Sequence, residues 1–90
     1  MIAYALSSGI HWTSAVGGRV VVLTATNRRY ILNHSASKIW MGLSSGQAIE
    51  AIEAAIAAEY DIPASQATTD VQSLLKHLRS IELISVSRDS

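Results

Sequence analysis

The sequence predicts an α+β domain: a three-stranded antiparallel sheet followed by three helices, in a winged helix-turn-helix-like arrangement. Three observations predict it. The residue pattern changes once, near Asn33, from β-branched and aromatic runs punctuated by glycine to Ala-, Leu- and Ile-rich stretches with helical spacing. A chain of 90 residues that is 49% hydrophobic supplies one compact core. No repeat, low-complexity tract or linker divides it, so residues 1–90 read as a single domain. The absence of cysteine leaves packing alone to hold the fold, with no disulfide frame and no thiolate zinc site.

The strands come first. Ile10-His11-Trp12-Thr13-Ser14-Ala15-Val16 has rough alternation and strand-forming residues. Gly17-Gly18 then suits a hairpin turn that needs positive φ. Arg19-Val20-Val21-Val22-Leu23-Thr24 is the second strand. Its unbroken apolar run implies either burial on both faces, or a core on one face and a partner on the other. Ala25-Thr26-Asn27-Arg28 makes a polar turn in which Asn27 can go left-handed. Arg29-Tyr30-Ile31-Leu32 is the third strand of this meander, and an open meander keeps unpaired N–H and C=O groups on its outer strands. Residues 1–9 either add a short strand or stay loose.

Asn33 or Ser35 caps a first helix running to about Leu43, with Ala36, Ile39, Trp40 and Leu43 on one face. Ser44 with Gln47 fits a capping box for the second helix, which carries Ile49, Ile52, Ile56 and Tyr60 on one stripe. Pro63 ends it, because proline disfavours helix at the residue before it. Ser65 caps a third helix bearing Ala67, Val71, Leu74, Leu75, Leu78 and Ile81. Residues 82–86 return as a short strand, and 87–90 read as a loose polar end.

Composition narrows function. Seven basic and seven acidic residues cancel, and charged residues are only 16% of the chain. Bulk electrostatic binding of nucleic acid or an anionic membrane is therefore disfavoured. No segment has the roughly 18 apolar residues of a membrane span, and the start lacks the flank and apolar run of a signal peptide, so the expected location is the cytoplasm. His11, His34 and His77 have no metal-site spacing. No nucleophile elbow or placed base exists either, which argues against an enzyme and gives no reason to expect a cofactor or metal. Contact with another polypeptide remains.

Several residues, taken in order, resemble the PqqD family: Tyr30-Ile31-Leu32-Asn33, Ala36, Ile39-Trp40, Gly46 before Ile49 and Ile52, Tyr60, Asp70-Val71, Leu74-Leu75, Leu78 and Leu83. The resemblance spans roughly residues 10–86. It implies a leader-recognition element of ribosomally made, modified peptides, in which an extended leader adds to the third strand and lies against the third helix. A short chain with Arg29-Tyr30 in that strand looks most like the stand-alone leader-binding proteins of lasso-peptide biosynthesis. Those present a precursor, anchored by a tyrosine and a proline, to a separate leader peptidase. The alternative branch is a PqqD-type peptide chaperone for pyrroloquinoline quinone synthesis.

On this reading the groove is floored by Val20 or Val22 with Tyr30 and Ile31. Its wall is Asp70, Ser73, Leu74 and His77, which share one stripe at i, i+3, i+4 and i+7. Arg28 and Arg29 stand at the strand edge, placed to steer acidic leader residues. Each residue also has a plainer role. Tyr30 is a half-buried strand residue, Ile31 faces opposite to it, Asp70 is an acid near a helix start, His77 is a side chain near a helix end, and Leu74 borders the core. Trp12 and Trp40 read as packing anchors. Two other functions compete. A winged-helix DNA-binding protein fits the helix order but not the neutral charge. A weak homodimer pairing through the exposed edge stands beside the monomer.

Overall fold

The computed structural model describes residues 2–88. Five strands and three helices follow one another as β1 (Ile2–Leu6), β2 (His11–Ser14), β3 (Val20–Leu23), β4 (Arg29–Ile31), α1 (His34–Ser44), α2 (Ile49–Tyr60), α3 (Ala64–Ser80) and β5 (Ile84–Arg88). The expected three-stranded meander is β2-β3-β4, antiparallel throughout, and the three expected helices follow it. This is the winged-helix-like α+β arrangement. Among the described residues no helix is long and apolar enough to cross a membrane.

The undecided start and the supposedly loose end resolve together. β1 pairs antiparallel with β5 in a second, two-stranded sheet, from Ile2 opposite Arg88 to Leu6 opposite Ile84. Ser87 and Arg88 are therefore strand residues; residues 89 and 90 lie outside the described part. A ladder is held by backbone groups, so polar side chains do not bar a segment from it. Tyr4 and Leu6 pack against the core, and Leu83 and Ile84 are buried, which ties this sheet to the rest.

β3 is buried on one face. Val20 and Val22 are fully enclosed, whereas Leu23 is 41% exposed and Val21 half-buried. Period-two alternation accounts for this. Trp12, Val22 and Tyr30 are cross-strand partners facing inward, while Val21 and Ile31 face outward. The inward face meets Ala36, Ile39, Trp40, Ile52, Val71 and Leu75 in one core cluster. Trp40 is fully buried and meets Trp12 edge-to-face, with ring centroids 6.3 Å apart and planes at 77°.

The β2–β3 connection is a short 3-10 turn at Val16–Gly18, with Gly17 at φ 84° and Gly18 at φ 77°. Asn27 adopts the left-handed conformation expected of it. Helix starts differ from the sequence expectation at two of three places. Asn33 does cap α1, its Oδ1 accepting the Ala36 N–H at 2.8 Å. Ser44 is instead the last residue of α1 and donates to the Met41 carbonyl, and α2 starts after Ala48 without a side-chain cap. Ser65 lies inside α3, whose start is set by Pro63, a residue suited to the edge of a helix because it lacks the N–H that would go unpaired. Asp61, left-handed at φ 51°, stops α2 two residues before that proline.

Candidate functional site

Backbone parity determines which groups of β4 are open. The Leu32 N–H donates to the Val20 carbonyl and the Thr24 N–H to the Arg28 carbonyl, both at 2.9 Å. Hydrogen-bonded pairs recur at every second residue of an antiparallel ladder, so Tyr30 with its partner Val22 is the pair between them. The N–H and C=O groups of residues 28, 30 and 32 are thus turned toward β3. Those of Arg29 and Ile31 are turned outward, to a margin that no strand among the described residues occupies.

Ser37 fixes the near end of this strand. Its hydroxyl accepts the Val20 N–H at 2.8 Å and donates to the Leu32 carbonyl at 3.2 Å. The hydroxyl stands in for a missing ladder bond and joins both strands to α1.

Residues of α3 line a cavity at each end of β4, in the order of an antiparallel course. At one end Arg28 and Tyr30 share a cavity with Ser80 and Ile81; at the other, Asn33 shares one with Asp70 and His77. The two cavities share no lining residue; they flank β4 at its two ends, and together they are called the trough. The Asn33 end has a volume of about 440 Å³ and apolar walls from Ile39, Ile56, Tyr60, Ile62 and Leu74. Asp70, Ser73 and His77 form its rim together with Gln66 and Ser35. The Arg28 end, about 540 Å³, is more polar: Thr24, Thr26, Arg28, Ser80 and Glu82 surround Tyr30, Ile10 and Ile81.

The structure brings Asp70, Ser73, Leu74 and His77 onto one cavity wall, as their helical spacing requires. Tyr30 is half-buried and lines the other cavity with Arg28. Ile31, 57% exposed, and Arg29 point their side chains outward, so only their backbone faces the open margin. Val20 and Val22 correct the expectation of a valine floor. Both have zero exposure and belong to the core beneath the sheet. The floor comes from α1 and the α2–α3 corner instead. Ile39, Ile56, Tyr60 and Ile62 were not singled out for it, although Tyr60, 39% exposed at a helix end, is the one with a readable signal. Among the described residues no three potential ligands cluster to hold a metal ion.

The comparisons with known proteins bear on this trough. The family described as Coenzyme PQQ synthesis protein D (PqqD) matches residues 18–84. One similar solved structure is described as TbiB1 in complex with the TbiA(beta) leader peptide; it is 28% identical, with a TM-score of 0.85 over 94% of this chain and 99% of that one. Another, described as lasso peptide synthetase B1 complexed with the leader peptide, is 20% identical, with a TM-score of 0.83 over 91% and 96%, and shares the fold. No curated protein matches. The family match takes in most of the meander, all three helices and both walls of the trough, and the chain belongs to the PqqD family.

Proposed function

We propose that this chain binds the leader segment of a ribosomally made precursor peptide, which adds as a strand to β4 and lies against α3. The observation that carries the reading is the outward set of Arg29 and Ile31 backbone groups beside an apolar cavity on α3. An extended peptide satisfies those groups and fixes its register, while the trough selects among its inward side chains. The 28% identical structure supports this, since it is described as a complex with a leader peptide and is matched over nearly its whole length. Asp70, Ser73, Leu74 and His77 wall the first cavity, Tyr30 and Arg28 the second, and Arg29 and Ile31 give backbone bonds. The tyrosine and proline expected of such leaders suit the apolar cavity.

The chain acts as a peptide carrier and performs no chemistry of its own. Leader residues opposite Arg29 and Ile31 turn outward, next to exposed Ile31 and Leu23. They stay accessible to a separate leader peptidase or modifying enzyme while the backbone is held. Lasso-peptide maturation is the favoured pathway. Pyrroloquinoline quinone synthesis is the second reading, favoured by the description of the matching family. The carrier works in the cytoplasm as a monomer or weak homodimer.

Fluorescence titration with candidate precursor leaders tests the reading. In Ile31→Pro the lost N–H faces the open margin, so the β3–β4 ladder survives. Leader affinity should fall about ten-fold or more, because the peptide carbonyl loses its donor, while the thermal midpoint stays near that of the parent. Full affinity in the folded variant would reject strand addition at this position.

A further inference from the structure

The Arg28 end of the trough carries two opposite charges and an unusual backbone. Arg28 and Glu82 line the same cavity, and among the described residues neither has an ion-pair partner. Glu82 also occupies a position that favours glycine. The Glu82 N–H donates to the Arg79 carbonyl at 3.1 Å and the Leu83 N–H to the Leu78 carbonyl at 3.0 Å. Those bonds form a Schellman ending with Glu82 at the left-handed residue, φ 62°. A side chain kept there at a conformational cost, on a residue that lines a cavity, points to use of that side chain.

We propose that this cavity is a second leader subsite, selective for a carboxamide side chain that accepts from Arg28 and donates to Glu82. The proposal rests on strand addition to β4. Arg28 alone would favour an acidic residue. With Glu82 across the same cavity, a residue of either charge gains one partner and meets one like charge. A neutral group that both donates and accepts satisfies both walls.

Parity also fixes the spacing. Inward peptide residues lie opposite Leu32, Tyr30 and Arg28. The apolar cavity begins at Asn33, next to Leu32, so we assign its occupant to the peptide residue opposite Leu32; that residue and the one reaching Arg28 are four positions apart in either strand direction. Four extended residues span about 14 Å. On α3 the rise from Asp70 or Leu74 to Ile81 covers about 10–17 Å, so the two subsites match the two ends of the helix wall.

The test uses fluorescein-labelled decapeptides of Thr and Val with one fixed Leu. The fourth position to either side of it carries Gln, Glu, Lys or Ala. Anisotropy should rank Gln about three-fold or more tighter than the other three in one series. Glu82→Ala should then improve the Glu peptide relative to Gln, and Arg28→Ala the Lys peptide. Glu82→Gly should leave the thermal midpoint equal or a few degrees higher and abolish the Gln preference. A flat ranking among peptides that still slow amide exchange at Arg29 and Ile31 would overturn the subsite and leave strand addition standing. If bound peptides leave those amides unchanged, both fall.

Discussion

The Ser37 hydroxyl sits between the Val20 N–H and the Leu32 carbonyl, 1% exposed, where a direct ladder bond would otherwise form. Ser37→Ala leaves a buried backbone donor without a partner and should cost about 1–3 kcal/mol of stability. Urea denaturation measures it, and an unchanged midpoint would show that water replaces the hydroxyl. Nothing in the sequence marks this serine, because a helical Ser reads as a neutral surface residue until its partners are known. Val20 and Val22 illustrate a similar limit. Alternation says that they share a face, but not which face meets the core, and the expectation placed them under the groove rather than inside the molecule. Asp70, Ser73, Leu74 and His77 were legible because a helix stripe is set by spacing alone.

Helix α3 divides its work between adjacent residues. Leu75 is 1% exposed in the core, whereas Leu74 is half-buried and lines the apolar cavity. Leu75→Ala should lose about 2–5 kcal/mol of stability. Leu74→Ala should lose clearly less in denaturation, yet weaken leader binding by more than the drop in folded fraction explains. Equal affinity for parent and Leu74→Ala would remove that side chain from the site. The three helices and the meander were readable from apolar periodicity. The starts of α2 and α3 were not, because Ser44 and Ser65 have capping chemistry but the helices begin after Ala48 and Pro63, neither of which caps through a side chain. The strand expected over 82–86 appears as β5, shifted to Ile84–Arg88, but its pairing with β1 was not legible because the two segments lie at opposite ends of the sequence.

At the scale of the molecule, the β2-β3-β4 sheet uses one face for the core, and β4 is an edge strand with one margin that no described strand occupies. β1 and β5 pair with each other rather than with β4, so neither takes up that margin. Equal numbers of acidic and basic residues leave backbone pairing and apolar contact, not bulk charge, to hold a ligand there. Hydrogen–deuterium exchange resolved by residue, with and without saturating leader peptide, tests this most directly. The Tyr30 amide faces β3 and should be slow in both states. The Arg29 and Ile31 amides should exchange fast in the free chain and slow by about ten-fold or more on binding. A bound leader that leaves Arg29 and Ile31 as fast as before would contradict strand addition at β4.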